Sequence, residues 1–176
     1  MVYTLGTKVP AMPFDKMRQH WWLPGSSAIA AVGAPTVAEV KVSDAVPFGE
    51  FLQQNGFTFS PTQNRITDTR DADRKERTIL GHKSPGDLAV TAVDNTNANP
   101  AEFPNDFFEA MEEGEFGWMI RRTGKAFDAP LAVGDIVDVL LVQVGMKSPV
   151  DGDLIFSKQE YAVHDFELGV AVVAGA

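Results

Sequence analysis

Apolar and polar residues alternate most clearly in three stretches of the chain. In DLAVTAVDN, Leu88, Val90 and Ala92 point to one side and Ala89, Thr91 and Val93 to the other, which predicts a strand. FGWMIRR at 116–122 predicts a second. DIVDVLLVQVG at 135–145, rich in Val, Ile and Leu after Gly134, predicts a third. Asp138 and Gln143 interrupt that third stretch at odd spacing, so a bulge or a change of exposed face is expected within it. Weaker patterns add a strand in TVAEVKV at 36–42, a short one in FTFSP after Gly56, and one or two in the final FSKQEYAVHDFELGVAVVAG. GHKSPGD and KSPVDGDL have the composition of turns. Residues 44–55 fit a short helix poorly because of Pro47 and Gly49.

Helical spacing is convincing only in NDFFEAMEE, Asn105 to Glu113. Asn105 has N-cap chemistry, Phe107, Phe108 and Met111 form an apolar stripe, and Phe103 is placed to pack back on it. Asp106, Glu109 and Glu113 fall on a separate acidic face, either solvated or turned to a partner. The tally is seven to eight strands and one helix. That predicts a mainly β (α+β) fold, an antiparallel barrel or sandwich with one flanking helix and a long extended loop at about 60–80.

Residues 1–35 contain Pro10, Pro13, Pro24 and Pro35 and read as an extended N-terminal arm, leaving 36–176 as a single domain. The adjacent Trp21 and Trp22 are its anchors, either plugging an end of the chain's own core or docking on a neighbouring subunit.

Composition narrows the function. The chain has 176 residues, 44% hydrophobic and 22% charged, and no cysteine, so disulfides, thiolate metal sites and a thiol nucleophile are excluded. No apolar run is long enough to span a bilayer and MVYTLGTKV lacks signal-peptide character, which predicts a soluble chain made in the cytoplasm. The formal charge of -9 argues against tight wrapping of nucleic acid.

Candidate chemistry is sparse. Asp68, Asp71 and Asp73 lie in DTRDADRKERTI, which lacks the central glycine and terminal glutamate of an EF-hand and puts Arg and Lys at ligand positions. His20, His82 and His164 are far apart, no Gly-x-Ser-x-Gly elbow exposes a serine, and no glycine-rich phosphate loop exists. The expectation is therefore no enzyme, no metal and no cofactor. Eight of the ten residues from Asp68 to Arg77 are charged, with Arg70, Arg74, Lys75 and Arg77 interleaved with Asp71 and Asp73. From Arg65 to Lys83 the net charge is only +2, with no aromatic residue to stack a base, whereas Glu102 to Trp118 carries six acids and no base. One mildly positive and one strongly negative region suit a subunit whose surfaces meet repeatedly in an assembly.

The order of these pieces, ERTILGHKSPGDLAVTAVDN, then FPNDFFEAMEEGEFGWMIRRTG, then VGDIVDVLLVQVG and further strands, resembles the major tail tube proteins of long-tailed bacteriophages, particularly those of actinobacterial hosts. The likeness covers about Thr36 to Val173 and is one of layout; residues 1–35 have no matching part. It implies a virion protein of the tail, assembled in the host cytoplasm, whose hexameric rings close through a continuous inner β-barrel and stack into a tube. Its partners would be further copies of itself, the tape measure protein and the tail terminator, with double-stranded DNA passing through without specific binding and no membrane involved. Ser60 to Leu80 would be the loop reaching the next ring, with Arg70, Asp71, Asp73, Arg74, Lys75 and Arg77 as inter-ring contacts. The helix would pack outside the barrel. Glu39 and Asp138, charges inside apolar strands, are the lumen candidates. The competing readings are a tail terminator or head-tail connector ring, and a monomeric β-barrel binding module or enzyme.

Overall fold

The computed structural model describes residues 17–25, 28–41, 43–68, 77–102, 104–152 and 155–175. Its centre is a seven-stranded antiparallel sheet, ordered β2-β1-β7-β8-β9-β6-β3, that curls into a half-barrel. The strands are β1 (Arg18–Pro24), β2 (Val46–Pro47), β3 (Leu52–Phe59), β6 (Leu88–Val93), β7 (Phe116–Thr123), β8 (Ile136–Val150) and β9 (Phe156–Ala171). A separate two-stranded ribbon joins β4 (Thr62–Asp68) to β5 (Arg77–Ser84). The mainly β expectation holds, and the structure adds strands where the sequence signal was weak.

Each face of the sheet carries a buried core. Side chains of a strand alternate between faces, so neighbours in sequence enter different cores. Trp22, Met119, Leu140 and Val142 join Phe48, Phe57, Val90, Phe107 and Tyr161 on one side. Trp21, Leu23, Trp118, Ile120, Val137 and Val139 join Ile29, Val40, Leu131 and Val172 on the other. Each fully buried side chain of this kind contributes roughly 1.5–3 kcal/mol relative to an exposed one. The two tryptophans of β1 therefore anchor opposite cores of their own chain. β1 is paired to β7 along its whole length, from Arg18↔Thr123 to Pro24↔Gly117.

The curl has a local cause. The β8–β9 register shifts between Val137 and Val139, between Leu141 and Val142, and between Val144 and Lys147. The expected bulging around Asp138 and Gln143 is thus present, and each bulge adds twist and bends the pair. At Gly145 an added Cβ would stand 2.6 Å from the Glu160 carbonyl oxygen, a close approach only glycine permits.

Several expectations are corrected. The strand expected at 36–42 is replaced over its described residues, 36–41, by a helical turn: α1 (Val37–Val40) opens with a capping box, in which the Thr36 hydroxyl accepts from the Glu39 amide and the Glu39 carboxylate accepts from the Thr36 amide at 2.7 Å. This reciprocal cap outweighed the alternation. The second helix, α2 (Asp106–Ala110), is shorter than 105–113 and ends at Met111. Asn105 does not cap it through its side chain; Oδ1 accepts the Asn95 amide at 3.0 Å and holds the preceding loop instead. Phe103 lies outside the described residues. Residues 46–47 and 52–55 are strand, GHKS belongs to β5, and β8 runs through the supposed turn to Val150.

Candidate assembly surface: open strand edges and a projecting ribbon

The 60–80 segment is a ribbon at its base. β4 and β5 pair from Thr62↔Ser84 to Asp68↔Arg77, and among the described residues no other element packs substantially on them. Ile66 and Ile79 lie opposite each other on one face, 52% and 50% exposed, while Leu80, 63% exposed, lies opposite Arg65 on the other. Isolated ribbons are marginal in water, and apolar side chains on both faces are a contact surface awaiting cover. At the root, Lys83 Nζ lies 3.4 Å from Glu167 of β9. Arg70, Asp71, Asp73, Arg74 and Lys75 fall outside the described residues, and Arg77 is placed only by its pairing with Asp68.

A second feature is an open strand edge. β6 pairs with β9 only from Val93↔Phe156 to Leu88↔Tyr161, yet β9 continues to Ala171. Residues 162–171 therefore pair with β8 on one side, and no named strand pairs with their other side among the described residues. Val133, Ile136 and Leu168 are exposed near the far end of this edge. β3, which pairs only with β6, ends the sheet on that side. Unpaired edges of this length are sites at which chains add strands.

Phe107, Phe108 and Met111 are buried in the core that α2 covers. Below them the Tyr161 hydroxyl donates to Gln159 Oε1 at 2.7 Å, and Gln159 Nε2 donates to the Met111 carbonyl at 3.1 Å and the Gly145 carbonyl at 3.2 Å. Burial raises the Tyr161 pKa and keeps its proton in place as donor. Asp106, Glu109 and Glu113 are exposed, Glu113 in the turn beyond the helix.

The two charges assigned to apolar strands have specific partners. Asp138 in β8 accepts two bonds from Arg121, at 2.9 and 2.7 Å, and the Gly169 amide at 2.9 Å. Glu39 is in a helix cap and also accepts the Ala30 amide at 3.0 Å, so the strand premise behind its placement falls away. Burial opposes its charged form, but these backbone and hydroxyl donors lower its pKa. Among the described residues no group of three His, Asp or Glu side chains is arranged to hold a metal ion.

The sequence profile described as phage tail tube protein matches residues 7–176, nearly the whole chain. This chain belongs to the phage tail tube protein family. It is a structural protein associated with the virion tail. A solved chain from the cryo-EM structure of the anti-feeding prophage (AFP) baseplate, 6-fold symmetrised, shares the fold at a TM-score of 0.52 and 14% identity, covering 93% of this chain and 99% of that one. The comparison with curated proteins gives no match.

Two features of this tail tube family member were not legible in the sequence. The open β9 edge depends on where β6 stops, which no local pattern states. The apolar faces of the ribbon were hidden because Ile66, Ile79 and Leu80 flank a run dominated by charge. An alternation count through Arg65–Thr67 and Thr78–Leu80 would have found them.

Proposed function

We propose that this tail tube family protein closes into hexameric rings through its strand edges and that the rings stack into the tube through which double-stranded DNA leaves the virion. The observation that carries the reading is the open edge of β9 at 162–171 beside exposed Val133, Ile136 and Leu168. A strand from a second copy would satisfy its backbone groups, and repeating one heterologous contact around an axis closes a ring. The ribbon and its charged apex make the inter-ring contact, with Arg70, Arg74, Lys75 and Arg77 meeting acids of the next ring, among which Asp106, Glu109 and Glu113 are candidates. The tape measure protein fills the tube and a tail terminator caps it. The acidic balance, -9 over the chain, suits a wall that phosphates pass without adhering.

Negative-stain electron microscopy of the purified chain tests this. Long hollow tubes are expected. Isolated rings would shift the protein to a terminator or connector role, and a uniformly monomeric chain at high concentration would overturn the assembly reading.

A further inference from the structure

β1 and β3 stand five places apart in strand order, yet the curl brings them to the two walls of one cleft of about 950 Å³. Arg18 and His20 line it from β1, Gln53, Asn55 and Phe57 from β3, and Phe127 from the β7–β8 connection. This cleft is the seam of the half-barrel. Little backbone pairing holds it: β2 contributes two register pairs to β1, Trp21↔Pro47 and Trp22↔Val46, and the Phe48 amide donates to the His20 carbonyl at 3.1 Å.

His20 is the side chain at the centre of the seam. It is 3% exposed, its ring centroid lies 5.4 Å from that of Phe48 and 5.1 Å from that of Phe57, and among the described residues neither Nδ1 nor Nε2 has a hydrogen-bond partner. A buried imidazole with both nitrogens unpartnered tolerates the neutral state and not the charged one. The charges around it reinforce this. Arg18 is on its own strand, and Arg121, its register partner on β7, is tied to Asp138 of β8 at 2.7 Å. Glu50 and Asp128 line the cleft from the 48–51 turn and the 124–135 loop, where they face solvent, and β3 offers only neutral amides and Phe57. Burial first, then Arg121 and Arg18, lower the His20 pKa to about 3.

From His20 the aromatic contacts continue inward. Phe48 lies 5.3 Å from Phe107, and Phe107 lies 4.7 Å from Phe108, so one row of rings connects the seam to α2. β3 can yield locally, because its register jumps from Leu52↔Ala92 to Phe57↔Val90 over a bulge carrying Gln53, Gln54 and Asn55.

We propose that His20 is an acid-released latch: proton uptake drives its ring from between Phe48 and Phe57 into the adjoining cleft, releasing β2 and the 48–51 turn while β7, β8 and β9 stay paired. A solvated imidazolium replaces one held between two phenyl rings beside two arginines. The latch is a property of the subunit and stands whether or not rings form.

Hydrogen exchange of the full-length chain at pH 8 and pH 5, corrected for the intrinsic pH dependence of exchange, reads the latch directly. An imidazole freed to its ordinary pKa of about 6.5 favours the open state about thirtyfold at pH 5. The opening constant reported by the Phe48 and Phe51 amides should rise by that factor while β7–β9 amides hold theirs. His20→Phe, or His20→Leu should the first fail to fold, should abolish the rise; a His82→Gln/His164→Gln variant should retain it. An unchanged opening constant in the wild type, or the same rise without His20, overturns the proposal. So does a His20 ring that titrates near pH 6.5 with the seam still protected.

Discussion

The Arg122 guanidinium donates from Nη1 to the Asp135 carboxylate at 2.8 Å, with both side chains almost fully buried where β7 meets the start of β8. Arg122 also donates to the Gln19 side chain at 2.7 Å, to the Pro130 carbonyl at 3.0 Å and to the Ala129 carbonyl. Asp135 further accepts the Ala132 amide at 3.0 Å and the Lys125 ammonium. One ion pair thereby fastens the 124–135 loop and ties it to β1. Removing one partner leaves the other charged and buried, so Asp135→Ala is expected to cost about 3–5 kcal/mol. Urea unfolding of the variant, followed by tryptophan fluorescence, measures it.

The same pair sets a pH dependence. Burial opposes ionisation of Asp135, but the donors Lys125, Arg122 and Ala132 outweigh it and hold the pKa at about 2, below the ordinary 3.8. The folded state therefore binds the proton less tightly than the unfolded state, and this stability is fully present above pH 4 and lost as pH falls toward 2. By linkage it amounts to about 2 kcal/mol. Asp94, held at about 2 by Ser157, Thr96 and Lys147 against its own desolvation, acts in the same direction. The wild-type loss between pH 5 and pH 2 should exceed that of Asp135→Asn by about 2 kcal/mol; equal losses would show that Asp135 titrates normally.

Phe107 joins α2 to the sheet and contacts Phe48 and Phe108. With only five residues, α2 owes little to intrinsic propensity and depends on this packing. Phe107→Ala should cost about 3–5 kcal/mol, and Phe108→Ala, at the rim of the same core, somewhat less. Unchanged thermal midpoints for both would remove α2 from the core.

These cases show how far local pattern reaches. The alternation of Leu88, Val90 and Ala92 and the stripe Phe107, Phe108, Met111 were legible because burial follows the period of a single element. The helix at Val37–Val40 was not, because its four residues alternate as a strand would and only the Thr36–Glu39 cap distinguishes them. The buried Arg122–Asp135 pair leaves no mark in local pattern because its partners, Gln19 included, come together only when β1 pairs with β7. Of the candidate assembly surface, local pattern marks only the charged stretch at 68–77, whereas the open β9 edge is a property of sheet topology.

Arm and body can be separated experimentally. Among the described residues the ribbon meets the body chiefly at its root, where Lys83 reaches Glu167 of β9, and its charges contribute little to any core. Reversing Arg70, Arg74, Lys75 and Arg77 to glutamate should leave a folded, soluble subunit with wild-type circular dichroism that no longer forms long tubes. Replacing Ile66 and Ile79 by threonine should also shorten tubes, and that defect should persist in high salt, where electrostatic contacts are screened. Tubes of normal length from both variants would take the arm out of the ring contact.

The conduit reading makes a prediction about DNA. A polyphosphate adheres in proportion to the number of phosphates a surface neutralises, so a wall that DNA must slide past has to offer few free cations. The cations of the sheet are largely committed: Arg121 to Asp138, Arg122 to Asp135, and Lys147 to Asp94 at 3.0 Å. Each pair presents little net charge, and the chain as a whole carries -9. Duplex DNA in a mobility assay at low salt should therefore show no saturable shift at micromolar protein. Asp138→Asn frees Arg121 of its counter-charge and should strengthen whatever weak retention exists, if β8 faces the channel. Saturable sub-micromolar binding by the wild-type protein would contradict a passive wall, because a surface that holds DNA at each step cannot also release it along the length of a tube.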